Sequence, residues 1–230
     1  MNDLVDTDPV ERFGVPHARA FLFDLDGVLW DSNRLHADTM ARVCEEAGLT
    51  MPEYDRLAGL TTPAAFELVL SESAGPSGLA PSEFAARKRT LFQERVAEIE
   101  SDHEALVEEL AVDRPDFLAL VTGASRATAD AFLRRLPEHF FDLVITSDDG
   151  LASKPMPDAY LFAAGRLGVK PSECVVFEDS RAGLAAARAA GARVAHITSA
   201  WEGECDTTSC GSDWCAPTVR EALRLIRDAS

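Results

Sequence analysis

Five short runs of branched and aliphatic residues punctuate a chain that otherwise follows helical periodicity. Ala20 to Leu25, Phe117 to Thr122, Leu143 to Thr146, Cys174 to Glu178 and Arg193 to Ile197 are each rich in such residues, as buried strands are. Helical periodicity or turn residues separate the last four. Arg126 to Leu136, Pro157 to Leu167 and Arg181 to Ala190 are the predicted intervening helices, the last with Ser180 as N-cap and Gly191 as C-cap. Alternating strand and helix predicts an α/β fold, a Rossmann-like parallel sheet covered on both faces. Ligands of such sheets collect beyond the carboxyl ends of the strands.

Between the first and second strands the pattern changes. His36, Met40, Val43, Cys44 and Ala47 share one helical face that Gly48 ends. Phe66 to Ser73 gives a second helix, closed by Gly75-Pro76-Ser77-Gly78. Phe84, Leu91, Phe92, Val96, Ile99, Leu106 and Leu110 then form one long amphipathic pattern. About 70 helical residues inserted after the first strand predict a small second domain. The expected division is a core of residues 1–32 and 105–230 with an α-helical cap of residues 33–104.

Composition narrows the function. The 230 residues are 47% hydrophobic, enough for a sizeable core, and the mean hydropathy is near zero. No apolar run is long enough to span a bilayer, and the acidic start (Met1 to Glu11) lacks a signal pattern, so the expected location is cytoplasmic. A formal charge of −17 opposes binding to nucleic acid or anionic membranes, which attract basic surfaces. An anionic substrate therefore needs a locally built site. Of the five cysteines, Cys44 and Cys174 fall in apolar patterns and are expected in the core. Cys205, Cys210 and Cys215 recur every five residues without a nearby His, a spacing unlike the usual zinc patterns. They are expected to be reduced thiols of a loop.

Candidate chemistry lies at the strand ends. Asp24 and Asp26 follow the first strand, and a close pair of buried carboxylates is costly unless a cation bridges it or one is protonated. An acidic turn is the plainer alternative. Glu178 and Asp179 follow the fourth strand, where a helix N-terminus also favours acids. If the two strands are neighbours, four carboxylates surround one point, and oxygen-only ligands suit Mg²⁺. Thr122 and Gly123 end the second strand as a turn into a helix, a phosphate cradle or an ordinary cap. Lys154 stands in the proline-stiffened Ser153-Lys154-Pro155-Met156-Pro157 loop, aimed inward or simply solvated.

Asp24-Leu25-Asp26-Gly27-Val28, Thr122, Lys154-Pro155 and Glu178-Asp179-Ser180 together resemble the four ordered motifs of the haloacid dehalogenase superfamily. The match is closest to its helical-cap subfamily, which includes beta-phosphoglucomutase and phosphoglycolate phosphatase. The resemblance implies hydrolysis of a small phosphorylated metabolite through an aspartyl-phosphate on Asp24, with Asp26 as general acid and then base. Asp26 would then start protonated, as crowded carboxylates favour. The same resemblance implies Mg²⁺ held by Asp24, the Asp26 carbonyl and Asp179, with Glu178 close by. Thr122, the Gly123 N–H and Lys154 would take the phosphoryl oxygens.

In the cap, His36 is expected at the site entrance or in the helix core, and Thr61 and Thr62 near the leaving group. Trp30 either narrows the entrance or packs against the cap. A phosphomutase needs a cap cation after Gly59, where Leu60, Thr61 and Thr62 stand, although Arg56 is near. A dehalogenase would lack Asp26, and a non-catalytic relative would have lost one of these groups. Hydrolysis is the preferred expectation; the sequence leaves the oligomeric state open.

Overall fold

The computed structural model describes residues 18–57, 62–73, 78–99, 101, 103–198 and 211–229. Six parallel strands form one sheet, β1 (Ala20–Phe23), β2 (Phe117–Val121), β3 (Leu143–Ile145), β4 (Cys174–Glu178), β5 (Arg193–Ile197) and β6 (Trp214–Ala216), in the order β3-β2-β1-β4-β5-β6. The five predicted strands are present, three of them one or two residues shorter at the carboxyl end. β6 had no counterpart in the sequence pattern, because three residues beside Asp213 carry too little periodicity. Its identity comes from pairing: Ala195, His196 and Ile197 lie opposite Trp214, Cys215 and Ala216.

Alternate strand residues point to opposite faces, and each face has its own apolar layer. Phe21, Phe23, Leu118, Leu120, Val175, Phe177, Ala195 and Ile197 pack on one side with α4 (His103–Val112), α5 (Arg126–Leu133) and α8 (Val219–Asp228). Ala20, Leu22, Ala119, Val121, Cys174, Val176 and Val194 pack on the other with α6 (Asp158–Leu167) and α7 (Arg181–Ala190). Phe23 stacks on Phe177 at 4.4 Å between ring centroids, directly below the end of β1 that carries Asp24. α8 was not anticipated, and α5 stops at Leu133, three residues short of its expected end.

Three further helices, α1 (Asn33–Glu46), α2 (Thr62–Glu72) and α3 (Pro81–Arg95), bury a separate cluster of Met40, Val43, Cys44, Leu57, Ala65, Phe66, Val69 and Phe84. The single long amphipathic pattern is divided here. α3 ends at Arg95, a 3₁₀ turn covers Val96–Glu98, and α4 packs on α8. Leu106 and Leu110 thus belong to the core of the sheet. Apolar periodicity continued across the break because both helices turn apolar residues toward buried surface, Phe84 into the helical cluster and Phe92, Leu106 and Leu110 toward the sheet. Among the described residues no helix is long and apolar enough to cross a membrane.

Cys44 and Cys174 are buried as expected, and burial pushes their thiols up to about 11 and about 12, which leaves them unreactive. Cys215 is half-buried on β6, with its Sγ 3.9 Å from His196 Nδ1, and so sits in a strand instead of the expected loop. Cys205 and Cys210 lie outside the described residues.

Candidate active site

Strand register brings the motifs together. Phe23 lies opposite Leu120 on one side and Phe177 on the other, so the next residues along, Asp24, Val121 and Glu178, share one level at the carboxyl edge. Asp24 N–H donates to the Phe177 carbonyl at 3.0 Å, and Thr122 N–H to Ile145 at 3.0 Å. Backbone pairing therefore fixes where these side chains begin.

Asp24, Glu178 and Asp179 offer carboxylate oxygens that all lie within 4.8 Å of one another. Lys154 enters from the loop after β3, with its ammonium 3.0 Å from Asp24 Oδ1 and 2.5 Å from Glu178 Oε1. Of the two readings of Lys154, the inward one holds. Both its partners are buried, and their charge keeps it protonated: burial pulls its pKa down, while Asp24 and Glu178 raise it well above an ordinary lysine. Glu178 is wholly buried and has every acceptor position engaged. Oε1 takes Lys154 and the Tyr160 hydroxyl (2.6 Å), and Oε2 takes the Ser180 N–H (3.3 Å) and hydroxyl (3.2 Å).

Two glycines make room for these carboxylates. A Cβ on Gly183, in the first turn of α7, would lie 1.9 Å from the Glu178 carboxyl. At Gly27 it would lie 1.8 Å from Asp179 Oδ2, and the φ of +75° there also favours glycine. Asn33 Nδ2 donates to the same Asp179 oxygen at 3.2 Å.

A small divalent cation fits this cluster. Asp24 Oδ1 is buried, and among the described residues its one partner is the Lys154 ammonium. Burial raises the Asp24 pKa; Lys154 opposes this, Glu178 and Asp26 add to it, and the result is about 7. Burial, Glu178 and Asp24 likewise raise Asp179 well above the carboxylate range, against the Asn33 hydrogen bond. Without a cation such a cluster takes up protons; a hard, oxygen-seeking ion relieves the same repulsion.

Asp26 departs from expectation. Its Oδ1 accepts a 2.5 Å hydrogen bond from the Ser32 hydroxyl and lies 3.4 Å from His36 Nε2. Burial pushes its pKa up, but the His36 and Ser32 hydrogen bonds and the charges of His36 and Lys88 outweigh it and hold the carboxyl below its usual value. Asp26 is ionised here, because Ser32, just before α1, and His36, on α1, reach its carboxylate. Lys88 Nζ is 3.3 Å from His36 Nδ1. Lys88 thus approaches the His36 ring by the nitrogen opposite the one that faces Asp26. His36 also stacks on Phe92 at 4.3 Å, so it is at once a packed helical residue and a neighbour of the site.

The remaining expected residues are dispersed. Thr122 is buried, and its hydroxyl accepts from the Ala124 N–H at 3.0 Å, which shapes the turn holding Gly123. Gly123 is exposed, with open space around it. Ser125 is the ordinary N-cap of α5. Thr62 opens α2 and, among the described residues, makes no hydrogen bond to the carboxylates; Gly59, Leu60 and Thr61 lie outside the described residues. Trp30 is buried against Phe132 and beneath the Arg135 guanidinium, packed in the core. Arg56 pairs with Glu72 at the surface. Ser32, Asn33, Lys88 and Tyr160 were not singled out from the sequence. Nothing separates Lys88 from the solvated charges of Arg87-Lys88-Arg89, and a Tyr six residues after Lys154 reads as a core aromatic.

Fold and site together define an α/β enzyme with an acidic, cation-suited centre at the strand ends. The model of the haloacid dehalogenase-like hydrolases matches residues 18–191, and the chain belongs to that family. The phosphorylated carbohydrates phosphatase of Thermotoga maritima is 34% identical over 179 residues, covering 75% of this chain and 81% of that one. Protein CbbY of Rhodobacter capsulatus is 31% identical over 218 residues, 89% and 95% of the two chains. The crystal structure of CbbY from Rhodobacter sphaeroides in complex with phosphate aligns with a TM-score of 0.74 at 26% identity, over 89% of this chain and 96% of that one.

Proposed function

We propose that the protein is a Mg²⁺-dependent phosphatase that hydrolyses a small phosphomonoester, a phosphorylated carbohydrate or a close chemical equivalent, through an aspartyl-phosphate on Asp24. The observation that carries this reading is the convergence of Asp24, Asp179 and Lys154 at one buried point. The name and similarity of the Thermotoga relative favour a carbohydrate substrate.

In this reading Asp24 attacks phosphorus in line. The ammonium of Lys154, the Gly123 N–H and Thr122 take the charge of the equatorial oxygens. Asp24, Asp179 and the Asp26 backbone carbonyl would hold the ion, with Glu178 behind them because its acceptors are engaged by protein donors. When bound, the ion supplies Lewis-acid charge neutralisation and orients the phosphoryl group. Asp26 protonates the leaving oxygen and then deprotonates the attacking water. Its resting carboxylate suits the second role. For the first, the arriving phosphate dianion raises the Asp26 pKa by like-charge repulsion. Residues 33–104 serve as the cap that excludes water, with His36 and Thr62 toward the leaving group. A mutase is disfavoured by the pairing of Arg56 with Glu72, which keeps that cation from a second phosphate.

The test is phosphate release from a panel of phosphorylated sugars, sugar acids and cyclitols. Activity should vanish with chelator and return with Mg²⁺. An isomerised sugar phosphate without free phosphate, or activity indifferent to chelation, would overturn the proposal.

The Asp26 contacts predict a pH effect. Ser32 and His36 lower the Asp26 pKa, so Ser32→Ala and His36→Ala each raise it. Water attack needs the carboxylate, so the acidic limb of the kcat profile should move to higher pH in both variants. Profiles superimposable on the parent would remove Asp26 from that step.

A further inference from the structure

Tyr160 lies on the face of α6 turned to the sheet, beside Ala163 and Ala164, and is almost completely buried. Packing alone would be met equally by phenylalanine, and a buried hydroxyl without a partner is costly. The hydroxyl donates to Glu178 Oε1 at 2.6 Å, the same oxygen that holds Lys154 at 2.5 Å. The Tyr160 ring also lies 5.3 Å from the Lys154 ammonium, within cation–π range. Lys154 Nζ is thus fixed by Glu178 and the ring on one side, and on the other by Asp24 Oδ1 at 3.0 Å and the Val121 carbonyl at 3.4 Å.

We propose that Tyr160 is a positioning residue for phosphoryl transfer, sharing Glu178 Oε1 with Lys154 so that the ammonium stays in reach of Asp24. This rests on the reading of Asp24 and Lys154 given above. The reasoning is one of competition for a single oxygen. Two donors divide the charge of Oε1. With the hydroxyl removed, that charge falls on Lys154 alone; the pair, already at 2.5 Å, cannot shorten, so the ammonium swings about Oε1 into the space the hydroxyl leaves and away from Asp24. Catalysis by a fixed charge depends steeply on where it sits: a displacement of about 1 Å can cost on the order of 10²-fold. The partners of Oε2 are the backbone and hydroxyl of Ser180, which belong to the N-cap of α7 and cannot follow.

The experiment is Tyr160→Phe in the full chain, assayed with Mg²⁺ and p-nitrophenyl phosphate and crystallised, with Asp24→Asn run in parallel. The ring is kept, so the variant should fold. The expected result is kcat lower by about tenfold with KM changed less than twofold, because the group lost acts on the transition state and not on uniform binding. In the crystal, Lys154 Nζ should lie beyond hydrogen-bond distance of Asp24. A purely structural hydroxyl would lower the thermal midpoint and leave kcat alone. An unchanged kcat, or a Lys154 that keeps its contact with Asp24, overturns the inference while an inactive Asp24→Asn keeps the proposed function standing. An active Asp24→Asn overturns both.

Discussion

Asp24→Asn is expected to abolish turnover, by a factor on the order of 10⁴ or more, as removal of a covalent nucleophile does. The fold should remain. Asp24 sits beyond the last residue of β1, its backbone N–H bond to Phe177 does not involve the side chain, and Phe21, Leu22 and Phe23 still fill the two layers. The variant also removes one of three crowded carboxylates, one that burial and its neighbours already hold at about 7. Lys154 keeps Glu178 as its partner. Circular dichroism and a thermal midpoint within a few degrees of the parent would document the intact fold, and phosphate release measured with Mg²⁺ would document the loss. Full activity of purified Asp24→Asn refutes the nucleophile.

The second large effect is on stability. Lys154→Met leaves Asp24 and Glu178 buried without their cation, and breaking a buried pair from one side costs about 3–5 kcal/mol. The loss should be largest at neutral and alkaline pH. It should shrink as pH falls, because a buried carboxylate without a cation escapes the penalty by taking up a proton. The sign is fixed: the folded variant binds more protons than its unfolded chain, so its stability relative to the parent rises toward acid. Adding Glu178→Gln to Lys154→Met removes one of the two uncompensated charges, but the amide keeps one accepting oxygen for Tyr160 or for Ser180 and not for both, so part of the stability should return without activity. Urea unfolding of the parent, the single and the double variant at two pH values measures this. A Lys154→Met chain as stable as the parent at pH 8 would mean that the ion pair is solvated and not structural.

Much of the architecture was legible because buried parallel strands are apolar on both faces. β1, β2, β4 and β5 carry such runs, with Gly191 and Ser180 as clear end signals for α7. β6 and α8 were not legible for a different reason. The first is three residues recognised only by pairing with β5, and the second lies beyond a stretch of Cys, Ser and Asp with no periodic lead-in. The merging of α3 and α4 into one pattern shows the limit of periodicity, which registers that a face is apolar and not which surface covers it.

For the site, the sequence by itself supplied the residue types and their order: Asp24 and Asp26, Thr122, Lys154, then Glu178 and Asp179, each just past an apolar run. Only tertiary structure decided what each group touches. Position along the chain says nothing of whether Asp26 faces other carboxylates, which would protonate it, or Ser32 and His36, which ionise it. Nor does it tell that Lys154 and Tyr160, six residues apart, meet on one oxygen of Glu178. Strand periodicity is a local property of the backbone and is written in the sequence. Protonation and hydrogen-bond partnership depend on distances of about 3 Å between segments brought together only by folding.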